Sequence, residues 1–124
     1  MPIVRDGRNL VAGLIAGDAV NPLSSDNAYI WVGSSTQDHA PTDAHLITSG
    51  IGASMEDGYP STSTNVLTFR SVFTTDEANF QWEEWGLKNV NTTGAGLFNR
   101  KQEALGVKTN TQTWQMTATL TFTT

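Results

Sequence analysis

The sequence has no cysteine, few basic residues and no long apolar run. Without cysteine, disulfides and thiolate metal sites are excluded, while the redox compartment is left open. Seven Lys and Arg residues against twelve Asp and Glu residues give a net charge of −5, and only Arg100 and Lys101 are adjacent basic residues. Nucleic-acid surfaces need clustered cations. We therefore predict no nucleic-acid partner.

No apolar segment approaches the length of a membrane span, and the opening residues MPIVRDGRNL contain no apolar signal core. We expect no membrane partner and a soluble protein made in the cytoplasm. A chain of 124 residues with 38% hydrophobic and 15% charged residues fits one globular domain, residues 1–124.

The strongest apolar pattern lies in residues 66–87. Its first half alternates as a half-buried strand does, with one side formed by Leu67, Phe69 and Phe73. Its second half changes phase between Trp82 and Trp85, which predicts either a β-bulge near Glu83 and Glu84 or a strand that passes from one sheet face to the other. We expect one of these two glutamates to be exposed and the other to be hydrogen-bonded. The aromatic residues of this strand pair should dominate the core.

One helix and two further strands are predicted around this pair. Residues 4–16 carry apolar side chains at helical spacing, and Gly17 is a natural stop. Residues 28–32 form a strand that is apolar on both faces, and residues 96–104 form a strand with Arg100 and Lys101 exposed. In contrast, residues 33–61 have turn-forming residues every few positions and predict a long loop of the kind that often holds function.

The last strand has the most regular alternation in the chain. Its apolar positions are Trp114, Met116, Ala118, Leu120 and Phe122. Threonines occupy most positions between them, which predicts one core face and one face open to water. Because a strand close to the chain end must be held in a sheet, we expect a central position for it. Together these elements predict a mainly β fold: a single β-sandwich or jelly-roll-like domain with one short N-terminal helix.

The sequence predicts no catalytic residue, metal ligand or cofactor site. One alternative is a metal-dependent hydrolase whose metal ligands would be His39 and His45, with Asp38 and Asp43 nearby. The spacing of these residues does not match a regular pair of metal ligands on a helix or a strand. No Gly-x-Ser-x-Gly elbow occurs. A second alternative is a host-glycan-binding module in which aromatic rings stack on sugar, the candidate rings being Tyr29, Trp31 and Trp85.

Several segments resemble a group of small structural proteins of tailed bacteriophages. These proteins have an acid-aromatic-Gly-Leu/Ile-Phe segment, a Gly-rich turn, a Leu-x-Arg segment and a Thr-rich final strand. Here Glu84-Trp85-Gly86-Leu87-Lys88 is similar to the acid-aromatic-Gly segment, with Lys88 where an aromatic residue is often found. The later run Leu97-Phe98-Asn99-Arg100 is similar to the Leu-x-Arg segment. The similar ranges are residues 6–17, 27–33, 74–87, 96–101 and 112–117.

The resemblance implies a virion component, and the lack of a catalytic constellation in the sequence predicts that it has no enzymatic activity. We expect a capsid decoration or cement protein that assembles in the host cytoplasm, sits on the capsid surface as a homotrimer and binds between major capsid protein subunits. A tail, neck or tail-fibre component is the alternative within this class. Residues 1–17 would act as an assembly arm, and the expected contact residues are Arg5, Arg8, Leu10, Leu14, Ile15, Tyr29, Trp31, Arg100 and Lys101.

Overall fold

The computed structural model describes residues 3–48 and 50–123 and shows a mainly β chain with two antiparallel sheets and one short helix near the N-terminus. The elements are α1 (Arg5–Ala16), β1 (Tyr29–Gly33), β2 (Ile51–Ser54), β3 (Ser61–Ser63), β4 (Val66–Phe73), β5 (Gln81–Lys88), β6 (Lys101–Val107) and β7 (Trp114–Thr121). One sheet has the strand order β2-β1-β5-β6, and the other has the order β3-β4-β7. The predicted fold class, a β-sandwich-like domain with a short N-terminal helix, is confirmed.

The core contains apolar side chains from both sheets. From β4 come Phe69 and Phe73, which occupy alternate positions as the sequence predicts. The ring of Phe73 meets that of Trp82 on β5 edge to face, with centroids 4.9 Å apart, a favourable arrangement for aromatic pairs. The predicted strand pair therefore does supply the aromatic centre of the fold.

Strand β5 contains the predicted bulge, since its register with β6 shifts between Trp82 and Glu84. The expectation that one of the two glutamates is exposed is wrong, because Glu83 and Glu84 are both buried. Strand β5 lies inside its sheet, between β1 and β6, and the segment that follows β1 reaches Glu84 through hydrogen bonds from Ile47 and Thr48. The alternation of apolar residues along β5 does not show that a distant segment buries Glu84 by hydrogen bonding to it.

Helix α1 begins after Val4 and ends at Gly17, which adopts a left-handed conformation, in agreement with the prediction. The helix buries only its glycines, Gly7 and Gly13. A Cβ atom at Gly7 would lie 1.9 Å from the carbonyl oxygen of Phe98, so glycine is required for this close approach. No helix in the described part of the chain is long and apolar enough to cross a membrane.

Strand β7 has the predicted alternation, but it lies at the edge of its sheet. The expectation of a central position is therefore wrong. Pairing with β4 from Val66↔Thr121 to Phe73↔Trp114 holds the strand in place without a second neighbour. Phe122, which was expected in the core, lies beyond the strand and is exposed.

Two further predicted boundaries are wrong. Residues 33–61 are not one loop, because Gly33 ends β1, strand β2 pairs with β1, and β3 begins at Ser61. Strand β6 begins at Lys101 and continues to Val107, whereas Leu97 and Asn99 form only isolated bridges. In both cases pairing partners distant in sequence decide where the strands run, and local composition does not show them.

Candidate interaction surface

Apolar side chains are exposed at the C-terminal end of α1. Ile15 is 83% exposed and Leu14 is 42% exposed, while Val20 lies beside Gly13 and is 37% exposed. We call Leu14, Ile15 and Val20 the helix patch. Leu10 and Val11, in contrast, pack against the core. Of the predicted contact residues on α1, Leu14 and Ile15 are thus accessible to a partner, and Leu10 holds the helix to its own domain.

The basic residues of α1 lie near its beginning. Arg5 and Arg8 are both exposed, and Nε of Arg5 is 3.6 Å from a carboxylate oxygen of Asp6. A surface ion pair of this kind contributes only about 0–1 kcal/mol. Positive charge in the first turn also opposes the helix dipole. These two arginines therefore have little to do with stability and are free to contact another molecule.

Trp31 does not lie at the surface, although it was predicted as a contact residue. It is 6% exposed and belongs to an apolar cluster with Val4, Leu46 and Leu97, against which Tyr29 packs. The chain's own segments therefore cover the outer face of β1. Trp85 is buried as well. The faces of these two tryptophans are not available for stacking on sugar, which removes two of the three rings on which the glycan alternative depends.

Arg100 was predicted to be exposed and to pair with a partner, and this prediction is wrong. Its side chain is fully buried, and its Nε donates a hydrogen bond of 2.9 Å to Oε1 of Glu84. A second nitrogen, Nη2, donates to the carbonyl oxygen of Gln37 at 2.7 Å, and Nη1 lies 3.5 Å from Oδ2 of Asp43. Arg100 thus joins β5 to the segment that follows β1.

Glu84 completes this connection from the other side. Its carboxylate accepts hydrogen bonds from the backbone N–H of Ser35 at 3.1 Å, from that of Ile47 at 2.8 Å, and from the Thr48 hydroxyl at 2.6 Å. Burial by itself raises the pKa of Glu84, but the hydrogen bonds from Thr48 and Arg100 outweigh it and lower the pKa below its ordinary value. We call Glu84 and Arg100 the loop clamp, because they fix residues 35–48 to the sheet.

Sequence reasoning identified both clamp residues but missed their role. Each of them belongs to a segment that resembles the phage structural proteins, and Glu84 also lies at the predicted bulge. What joins them is a side-chain contact across 16 positions of the chain. The available signal was the pair of adjacent glutamates in an otherwise apolar strand, since a buried carboxylate requires a cationic or hydrogen-bonding partner.

Lys101, the last predicted contact residue, lies at the beginning of edge strand β6. Its Nζ is 2.9 Å from the carboxylate of Glu103, and both side chains are partly exposed. The two residues also line a groove of about 550 Å³ between β6 and β7. Trp82, Trp85 and Trp114 contribute to its walls. Lys101 therefore remains available to a partner, at the open side of the sandwich.

The two histidines do not form a metal centre with their neighbours. Nδ1 of His39 is 3.9 Å from Oδ2 of Asp43, whereas Nδ1 of His45 lies 2.7 Å from the carbonyl oxygen of Leu46. Within residues 3–48 and 50–123, no group of three or more metal-ligating side chains is brought together. The geometry gives the hydrolase alternative no support.

Lys88 is a site that the sequence reasoning missed. Its side chain is only 1% exposed, its Nζ lies 4.2 Å above the ring centre of Trp31, and it donates a hydrogen bond to the carbonyl oxygen of Thr92. Burial lowers the pKa of Lys88. Lys88 and Trp31 both line a cavity of about 200 Å³. The one sequence signal was a lysine at a position where the resemblance expects an aromatic residue.

Comparison with known proteins gives no relative for this chain: no family model, no curated protein and no solved structure matches it.

Proposed function

We propose that the chain is a non-enzymatic structural protein of a tailed phage that decorates the capsid by binding between major capsid protein subunits. The observation that carries the proposal is the helix patch. Helix α1 buries no apolar side chain completely, yet it presents Leu14 and Ile15 to solvent. The similarity of several sequence segments to small phage structural proteins supplies the class of partner.

The helix patch has the composition of an interface centre with a charged rim. Leu14, Ile15 and Val20 would be buried by a partner, while Arg5 and Arg8 would lie towards the edge and face acidic residues. One such contact is weak. Repeated over a capsid lattice by linked copies, weak contacts give strong attachment through avidity. A homotrimer would present three helix patches at once, which is why we keep this oligomeric state in the proposal.

The test compares attachment of helix-patch variants to phage particles assembled without this protein. The double variant Leu14→Ser/Ile15→Ser should fold normally, because both side chains are exposed, and should bind the particles at least about 10-fold less tightly, since each truncated anchor of an interface costs about 1 kcal/mol or more. Val107→Ser is the matched control: Val107 is 57% exposed but lies at the end of β6.

Unchanged attachment of the double variant would contradict the proposed role of the helix patch. Deleting residues 1–17 is a less informative experiment, because Val4 is fully buried and its backbone N–H donates to the carbonyl oxygen of Phe98 at 3.1 Å. Such a deletion would disturb the fold together with the surface.

A tail, neck or tail-fibre component could use the same helix patch. The position of the protein on the phage particle therefore distinguishes this alternative from the capsid decoration protein. A labelled antibody against the protein should decorate the whole capsid surface of intact particles. Labelling at one vertex or along the tail would replace the capsid assignment with the tail assignment.

A further inference from the structure

Lys88 is buried without a charged partner. Among the described residues it forms no ion pair, and its polar contacts are the carbonyl oxygen of Thr92 and the face of Trp31. Lys108 is equally buried, but it donates to two neutral oxygens, the carbonyl of Thr74 at 2.6 Å and Oδ1 of Asn79 at 2.8 Å. An ammonium group that is removed from water normally pairs with an anion. Lys88 therefore has unused capacity to bind one.

A second donor near Lys88 also lacks an acceptor. The indole Nε1 of Trp31 is buried and forms no hydrogen bond within the described part of the chain. Buried indole N–H groups usually have a partner, so this one is exceptional. Trp31 and Lys88 both line the cavity of about 200 Å³, and the other lining residues are His45, Leu46, Ile47, Thr48, Thr93 and Gly94.

We propose that this cavity binds a single carboxylate group. The Lys88 ammonium supplies one positive charge, which balances one negative charge. A carboxylate has two oxygens, so it can accept from the ammonium and from the Trp31 indole N–H together. Leu46 and Ile47 provide apolar walls for a short alkyl group attached to the carboxylate. Among the lining residues there is no arginine and no second lysine to match a phosphate dianion.

His45 also lines the cavity. Its Nδ1 lies 2.7 Å from the carbonyl oxygen of Leu46, so this nitrogen is already engaged within the chain. No acidic side chain lines the cavity. The carboxylate of Glu84 accepts hydrogen bonds from two lining residues, Ile47 and Thr48, but it also pairs with Arg100, which balances its negative charge. The bound carboxylate could belong to a free small acid or to an acidic side chain of a partner protein. The inference does not depend on the proposed capsid role.

The test follows the indole N–H resonances of the ¹⁵N-labelled protein during titration with sodium acetate at constant ionic strength. The chain has four tryptophans, and the Trp31 signal is the one missing in Trp31→Phe. Acetate should shift this signal saturably, and sodium chloride should not. In Lys88→Met binding should weaken about 10-fold or more, because a hydrogen bond to a charged group is lost. The control Lys101→Met should bind like the wild type.

Absence of a saturable shift, an equal shift with chloride, or equal affinity in Lys88→Met would overturn the proposal. If Lys88→Met does not fold, Trp31→Phe provides the second test: it keeps the ammonium and loses the indole donor, and acetate followed at the Ile47 amide should bind it more weakly than the wild type. Unchanged affinity there would also overturn the proposal.

Two further probes identify the source of the carboxylate. Propionate represents a free acid, and a glutamate tripeptide blocked at both ends represents a protein side chain. Tighter binding of propionate assigns the site to a small metabolite, whereas tighter binding of the peptide assigns it to a partner protein. Both results support a carboxylate site, and failure of both probes to bind contradicts it.

Discussion

Two buried cations near the same sheet, Arg100 and Lys88, have opposite surroundings. Arg100 meets the carboxylates of Glu84 and Asp43 and a backbone carbonyl, whereas Lys88, among residues 3–48 and 50–123, meets only a carbonyl oxygen and an aromatic ring. The difference shows that burial of a charge does not define its role. A charge whose partners lie within the chain fixes the fold, and a charge without them is available to a ligand. Substitutions at the two sites should therefore differ in their effect on stability.

The largest effect is expected from Glu84→Ala, which leaves the Arg100 guanidinium buried without its main partner. Breaking a buried ion pair from one side costs about 3–5 kcal/mol, and the hydrogen bonds that hold Ile47 and Thr48 are lost with it. Urea denaturation measures the free energy of unfolding. Glu103→Ala, which breaks only the surface pair with Lys101, should cost about 1 kcal/mol or less. Similar costs for the two variants would contradict the clamp.

Acid should weaken the clamp specifically. The pKa of Glu84 is lower in the folded chain than in the unfolded chain, so in the interval between the two values the unfolded state binds more protons. The stabilisation is present above the unfolded pKa, about 4.3, and is lost as pH falls through the folded pKa. The difference in unfolding free energy between wild type and Glu84→Gln should shrink over that range. A constant difference would argue against an ionised Glu84.

Lys88→Met should leave stability unchanged within about 1 kcal/mol or increase it, because an apolar side chain of similar length replaces an unpaired buried charge. The pKa of Lys88 is lowered in the folded state, so the unfolded state binds more protons between the folded value and about 10.4. Wild-type stability should therefore rise with pH towards that limit, and this rise should be absent in Lys88→Met. Strong destabilisation would show that Lys88 is structural, as Arg100 is.

The smallest effect is expected at the helix patch. Ile15→Ser should change the free energy of unfolding by no more than about 0.5 kcal/mol, because the side chain is 83% exposed. Thermal denaturation of the purified domain measures this. A loss of unfolding free energy as large as that of Glu84→Ala would mean that Ile15 supports the fold. The exposure of Ile15 would then not indicate a partner.

The sequence predicted those features that depend on local pattern. The phase change between Trp82 and Trp85 located the bulge, Gly17 located the end of the helix, and the alternation after Trp114 located the last strand. Features that depend on distant partners were missed. Arg100 was assigned to the surface, because nothing near it in sequence shows that Glu84 and residues 35–48 enclose it. The edge position of β7 was missed because alternation does not encode strand order.

The role of glycines was also only partly predictable. Helix propensity identifies Gly7 as a weak point, but the structure shows that it admits the Phe98 carbonyl. Likewise, a Cβ atom at Gly52 would lie 2.3 Å from Nε1 of Trp31. Gly52 belongs to β2, the strand that was not predicted from the sequence, and the indole of Trp31 packs against it. Close packing of this kind is a property of the assembled fold and has no local signature.

We propose that this chain is a capsid decoration protein, and its copy number in purified virions tests that proposal most directly. Quantitative mass spectrometry of intact particles should give a ratio to the major capsid protein near one to one. A few copies per hundred capsid subunits would move the chain to the tail or neck. Complete absence from the particle would contradict the structural role.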